Sequence, residues 1–281
     1  MATVTDVPPR GGPLPPTSWH RHVNLVRELA LTQFKLKYTG SVLGYLWSLL
    51  KPLMLFGIMY AIFGFLFQLG RASPNFPIQL LLGIVVWGFF AETTSSAMSS
   101  IASNGNLIRK AYFPRAILVV ASSLTALITF VINLTLIIVI ATPFGAMNPG
   151  WRSLTTPLFL IELYALILGV SLMLASLFVF FRDLGHIWEV LSLVLFYGSA
   201  VVFPFSLIPG HLLPKLAAMN PVAQIIEDLR HALVTSDPKV PWMEQILGAP
   251  LYLVPLALTA LSVVLGVFVF NRLSPRFAEE L

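Results

Sequence analysis

Long apolar runs alternate with short charged segments along most of the chain. Six of these runs come near the ~20 residues that a bilayer-spanning helix needs, at about 53–69, 76–101, 116–142, 154–181, 187–203 and 249–270. The second run changes character after Phe90 into AETTSSAMSSIAS, where Ser95, Ser96, Ser99 and Ser100 suit close helix packing or a polar lining. Ahead of the first run lies 25–52, LVRELALTQFKLKYTGSVLGYLWSLLKP. Leu25, Leu29 and Leu36 fall on one helical stripe there, while Glu28 and Lys35 share another. This predicts a helix on the membrane surface with its lysines toward headgroups or a protein partner; the plainer alternative is a charged flank that orients the first span. Val26, Leu31 and Phe34 lie off the stripe. Between the fifth and sixth runs, 203–248 carries six prolines and an amphipathic helix candidate, PVAQIIEDLRHALV. Asn220 is available as its cap and Pro221 suits its first turn. The neighbouring FPFSLIPG and HLLPKLAAM are too short and broken to span, and fit re-entrant or interfacial segments. No internal repeat is evident, which weakens an inverted-repeat transporter.

Composition agrees with the pattern. Apolar residues fill 57% of the 281 positions and charged residues 10%, against about 25% charged in a soluble chain, so the expected fold class is an all-α integral membrane protein. The net charge of +5 flanks the spans instead of clustering, which argues against nucleic acid. With the N-terminus placed in the cytoplasm, inner segments hold 12 Lys and Arg and outer segments 5 (Arg71, Arg152, Lys215, Arg230, Lys239). The positive-inside rule then puts both termini in the cytoplasm. The absence of cysteine removes disulfides, thiolate metal sites and cysteine nucleophiles. Residues 1–20 lack the apolar core of a signal peptide, and their Pro and Gly read as a flexible tail; 273–281 reads as a second short tail.

Three acids lie within or beside the spans: Glu92, Glu162 and Glu189. An intramembrane carboxylate is costly and marks a functional candidate. The assigned spans have no interior Lys or Arg to pair with them. Glu92 neighbours the hydroxyl run, Glu189 either pairs with Arg182 or meets water, and Glu162 is the foremost candidate. The segment 104–115, NGNLIRKAYFPR, reads as a turn, a short basic-aromatic helix over 106–113 and a proline stop. It serves either as a loop anchor or as a docking knob. There is no G-x-x-x-x-G-K-[ST], G-x-S-x-G or H-E-x-x-H, and none of the five histidines has ligand-like spacing. No catalytic set and no metal site emerge.

Taken in order, YTGSVLGYLWSLLKPL, NLIRKAYFPR, FFRDLGHIW and MNPVAQIIEDLRHAL, set among six spans, resemble the membrane subunit of ABC-2-type exporters of lipid-linked polysaccharides. This group handles O-antigen, teichoic acid and mycobacterial-type galactan. The resemblance covers about 25–272 and implies one transmembrane domain over 21–272, with short gate helices between spans five and six. It further implies a homodimer carrying two copies of a separate ATP-binding subunit, which would hold ATP and Mg²⁺ while this chain binds no cofactor. The implied cargo is a polyprenyl-diphosphate-linked polysaccharide, moved outward across a bacterial inner or plasma membrane. By the same resemblance Arg27, Glu28, Lys35, Lys37, Asn106, Arg109, Lys110, Tyr112 and Arg115 would contact the ATPase. Tyr60, Phe63, Trp87, Phe90, Phe196 and Tyr197, with Glu92, would line the path, where sugar rings stack on aromatics by their apolar faces. Pro204, Pro209, Pro221 and Arg230 would belong to an exit gate. The alternatives are an ABC-2 exporter of a small drug or lipid, and a proton-coupled secondary transporter using Glu92 or Glu162.

Overall fold

A computed structural model describes residues 19–69, 75–110, 113–147, 150–202, 205, 212–234 and 243–280. Helices dominate, and among the described residues β-structure is limited to one isolated bridge between Met147 and Val234. Helix α1 (Trp19–Tyr38) stops before Gly40, whose φ of 82° only glycine adopts readily. A short 3₁₀ turn, Gly44–Leu46, then leads into α2 (Trp47–Met59), which continues as a π-helical stretch, Tyr60–Leu66. A Cβ on Gly64 would come within 2.7 Å of the Tyr60 ring, so this widened turn needs glycine there. The following helices are α3 (Phe76–Ser103), α4 (Gly105–Lys110), α5 (Ala116–Ala141), α6 (Thr156–Phe180) and α7 (Leu184–Gly198). After them come α8 (Leu212–Ala218), α9 (Pro221–Leu233), α10 (Met243–Leu247), α11 (Ala249–Leu273) and α12 (Phe277–Glu280).

Five helical stretches are long and apolar enough to cross a membrane: Gly44–Leu66, Phe76–Ser103, Ala116–Ala141, Trp151–Phe180 and Pro250–Glu280. The first begins well before residue 53, because Trp47 and Ser48 continue the helix through Lys51. Within the fifth expected span, 187–203, lies α7, whose 15 helical residues by themselves fall short of a bilayer's thickness. It ends at Gly198 because the chain turns there, with Ala200 at φ 51° and the carbonyls of Ala200 and Val201 directed at Arg230.

The core sits where α3 packs between α5 and α6. Phe89 stacks on Phe130 at 4.6 Å, and the Tyr164 and Ser123 hydroxyls meet at 2.9 Å. Helices α6 and α11 touch backbone to backbone: a Cβ on Gly266 would lie 2.2 Å from the Gly169 carbonyl oxygen. Small residues give membrane helices the close packing that the hydrophobic effect cannot supply within lipid. At the end carrying Arg109 and Arg115, a second cluster joins Ile101, Ile108, Leu118, Val179, Phe270 and Phe277.

Helix α9 is the amphipathic candidate of 221–234, and its start follows expectation: Pro221 opens it and the Asn220 side chain accepts the Val222 N–H at 3.0 Å. Its surroundings do not. Every residue from Val222 to Arg230 is buried, so the polar face also turns into protein.

Candidate functional site

One face each of α2, α3 and α5, with the end of α1, encloses a cleft of about 680 Å³. From α2 come Trp47, Lys51 and Leu55, which share a face at four-residue spacing. Helix α3 contributes Val85, Trp87 and Glu92 with Ser95 and Ser96, and α5 contributes Phe130 and Asn133. Lys37 at the end of α1 forms an ion pair with Glu92, each side chain about one-third exposed. Several polar neighbours are already engaged, though the Thr129 hydroxyl in the lining has no partner among the described residues. Asn133 donates to the carbonyls of Ser48 at 3.1 Å and Thr129 at 2.9 Å, while Ser48 and Ser96 donate to their own helix backbone. Lys51, inside the first membrane-length stretch, has no hydrogen-bond or ion-pair partner among the described residues. Lys51 is the eighth of that stretch's 23 residues, and the cost of a lysine, about 3 kcal/mol at a helix centre on insertion scales, is smaller there.

The basic end is built around α1 and α5. Thr125 donates to the Ala30 carbonyl at 3.1 Å and Ser122 to the Gln33 amide oxygen at 3.4 Å. The face of α1 packed on α5 is therefore Val26, Ala30 and Gln33; of the Leu25–Leu29–Leu36 stripe, Leu29 packs against the Ile101–Ile108 cluster while Leu25 is 37% and Leu36 66% exposed. The small Ala30 side chain lets the α1 backbone come close enough for Thr125 to reach it. Arg27 lines one groove of about 580 Å³ together with Pro114 and Ile117. Beside it, His22, Phe113, Arg115 and Pro275 line another of about 540 Å³. The Arg115 guanidinium lies 5.8 Å from the centre of the Phe277 ring. Two separate stretches of sequence thus form one surface.

At the opposite end, Arg230 is fully enclosed and acts as a clamp. Its guanidinium donates to the Gln79 carbonyl at 3.0 Å, Ala200 at 2.9 Å, Val201 at 2.7 Å and the Glu227 carboxylate at 3.1 Å. One side chain so ties α9 to the start of α3 and to the turn after α7. Gly83 leaves room for it, since a Cβ there would lie 2.8 Å from the Arg230 Nη2. Next to the clamp, Asp228 accepts from the Met243 N–H at 2.9 Å, Gln224 at 2.9 Å and the Tyr252 hydroxyl at 3.1 Å. Burial pushes the Asp228 carboxyl above its ordinary range, and these three donors pull it back. Glu227 is likewise raised by burial and lowered by Arg230.

A profile of the ABC-2 type transporter family matches residues 24–234, three quarters of the chain. The chain belongs to the ABC-2 type transporter family. Its relatives include the O-antigen export system permease protein RfbA of Klebsiella pneumoniae, 28% identical over 251 residues, covering 88% of this chain and 91% of that protein. The protein of the same name from Myxococcus xanthus is 27% identical over 266 residues, 93% and 97% of the two chains. The polysialic acid transport protein KpsM of Escherichia coli is 23% identical over 213 residues, 74% and 81% of the two.

Within this ABC-2 membrane protein the residues named from sequence fall into distinct places. Arg27, Glu28 and Lys35 are exposed on α1, and Asn106 and Arg109 on α4, while Lys37 turns back to Glu92. Tyr112 and the Lys110 side chain lie outside the described residues, as do Pro204 and Pro209. Trp87, Phe90 and Phe196 are buried inside the protein, in ring contact with one another and with Trp188. Tyr197 packs edge-on against Phe196 yet stays 53% exposed. Tyr60 stacks on Phe56 and Phe76, and Phe63 on Phe67. Arg230, expected at an exit gate, is buried and holds the internal clamp described above. The basic partner of Glu92, absent from the spans, comes from α1. Glu189 is exposed, and Arg182 lies over the Phe178 ring at 5.2 Å rather than on that carboxylate. Glu162 accepts from Gln224 at 3.4 Å, which brings it to the Asp228 cluster. Sequence reasoning overlooked Lys51 as a cleft residue, though the Trp47–Lys51–Leu55 spacing carries the signal. It also overlooked Gln79, whose partner Arg230 lies 151 positions away, and Asp228, whose Gln224 contact is one helical turn away but whose Met243 and Tyr252 contacts come from later helices.

Proposed function

We propose that this chain is the membrane-embedded permease of an ATP-driven exporter that moves a polyprenyl-diphosphate-linked polysaccharide outward across a bacterial plasma membrane. The observation that carries this reading is the near end-to-end similarity to polysaccharide-export permeases, 27–28% identity over 88–93% of the chain. The lack of a P-loop assigns ATP and Mg²⁺ to a separate subunit. Two copies of that subunit dock on the basic end, against Arg27, Glu28 and Lys35 of α1 and the 106–115 segment; the shared surface of these two stretches supports this. Both termini face the cytoplasm, following the excess of inner Lys and Arg. A sixth crossing is completed by α7 and the turn after it. The permease works as a homodimer, a reading supported by the scant cover on α2 and by exposed Ile187, Val190, Val194 and Tyr197 on α7. Of the two alternatives, proton coupling through Glu92 loses its motive because Lys37 already holds that carboxylate.

The test is reconstitution in proteoliposomes. Permease plus ATP-binding subunit moves the glycan only with ATP, and permease alone moves none; transport without nucleotide refutes the exporter reading. Arg109→Glu with Lys110→Glu leaves membrane insertion intact and uncouples ATP hydrolysis from transport. Undiminished export by that double variant sinks the docking assignment.

A further inference from the structure

We propose that the cleft between α2, α3 and α5 binds the phosphate headgroup of a lipid, with Lys51 and Lys37 as its cations. Two lysines face one carboxylate, Glu92, so the cleft carries one net positive charge. Lys51 belongs to a membrane-length helix and has no partner of its own among the described residues. Lys51 is exposed on the protein surface, so where lipid surrounds that helix its lone ammonium calls for an anion. A neutral sugar would leave that charge unmatched, and of the cleft's hydroxyls the Thr129 one has no hydrogen-bond partner among the described residues. The Asn133 amide hydrogens go to Ser48 and Thr129, and the Ser48 and Ser96 hydroxyls to their own backbone.

The rest of the lining fits what such a headgroup is attached to. Leu55, Val85 and Phe130 give the cleft an apolar part, and Trp47, one turn before Lys51, adds an amphipathic ring of the kind found at membrane interfaces. Its volume of about 680 Å³ lies in the range that holds a small organic molecule. An anionic head on an apolar chain matches both parts. That chemistry has two sources: an ordinary anionic phospholipid of the bilayer, or an isoprenoid diphosphate carrier. Only the second source rests on the export reading proposed above; the site itself does not.

Binding is measured by native mass spectrometry on the full permease complexed with its ATP-binding subunit. The probes are phosphatidylglycerol, a polyprenyl diphosphate, and the matching polyprenol as neutral control. At least one phosphate-headed lipid binds about tenfold tighter than the polyprenol, and Lys51→Gln removes that advantage while Lys51→Arg keeps it within about threefold. Loss confined to the polyprenyl diphosphate assigns the site to the carrier; equal loss for both assigns it to phosphate-headed lipids in general. Polyprenol binding as tight as the phosphate-headed lipids overturns the proposal, as does unchanged affinity in Lys51→Gln. Should Lys51→Gln fail to assemble, the headgroup comparison on the wild-type complex still decides. Failure of ATP-driven glycan transport would sink the export reading and leave this binding measurement standing.

Discussion

Replacing Arg230 with methionine keeps a long side chain but removes every donor that holds the far end together. The Gln79, Ala200 and Val201 carbonyls lose their guanidinium contacts, at 3.0, 2.9 and 2.7 Å, and the Glu227 carboxylate loses its ion-pair partner at 3.1 Å. A hydrogen bond to a charged group contributes about 1.5–3 kcal/mol, and stranding one member of a buried ion pair costs about 3–5 kcal/mol. The terms share one side chain and do not add, so about 3–5 kcal/mol is the expected loss. At roughly 2–4 °C per kcal/mol for a chain of this size, the melting temperature falls by roughly 6–20 °C. The assay is thermal unfolding of detergent-purified permease, followed by the loss of its monodisperse size-exclusion peak. The double variant Arg230→Met with Glu227→Leu separates the two contributions. It strands the carbonyls but no carboxylate, and so recovers a kcal/mol or more relative to Arg230→Met alone. An Arg230→Met protein melting within 2 °C of wild type would refute the clamp; strictly additive losses in the double variant would refute the ion pair's share.

Two other perturbations probe separate contacts. Asp228→Ala leaves the Met243 N–H, Gln224 amide and Tyr252 hydroxyl without their acceptor, for a loss of about 1–3 kcal/mol by thermal melt. Because burial raises the Asp228 pKa, the folded state binds more protons than the unfolded chain. Wild-type stability therefore falls as pH rises from the ordinary aspartate range through Asp228's own titration, and the alanine variant lacks that step in a pH series of melts. Gly266→Leu forces α11 away from the Gly169 carbonyl and costs at least about 1–3 kcal/mol, since backbone cannot give way as a side chain can. Gly88→Ala, where a Cβ meets nothing within 4 Å, is neutral or stabilising by up to about 1 kcal/mol and serves as the matched control.

The spans were legible because hydrophobic length is a local property, and four of them end within a few residues of the expected positions, while the last extends to Glu280. The first began too late in the sequence reading because Ser48 and Lys51 look like flank; only their helical spacing with Trp47 and Leu55 betrays the cleft. Helix α9 was legible as a helix, through Asn220 and Pro221, but not in its environment. Its polar face reads as solvent-facing by period alone, yet Arg230 finds Gln79 151 positions away and Gln224 finds Glu162 62 positions away. The face of α1 that meets α5 was not legible for a related reason: it is decided by the fit of Ala30 under Thr125, a contact across 95 positions. The wider sequence resemblance succeeded because it compares whole successions of segments, and these local errors do not accumulate in it.

The sparse cover on the first span bears on how the protein is made. Synthesis runs from the N-terminus, so Gly44–Leu66 enters the bilayer before α3 and α5 exist. Only 6% of its apolar window is buried in the finished fold. Its ties include Asn133, 85 positions beyond Ser48, and the end of the preceding helix waits for Glu92, 55 positions beyond Lys37. Until those residues leave the ribosome, this helix and its lysine have only lipid and the insertion machinery for company. Biogenesis of the permease therefore has a vulnerable interval, which closes when α5 arrives.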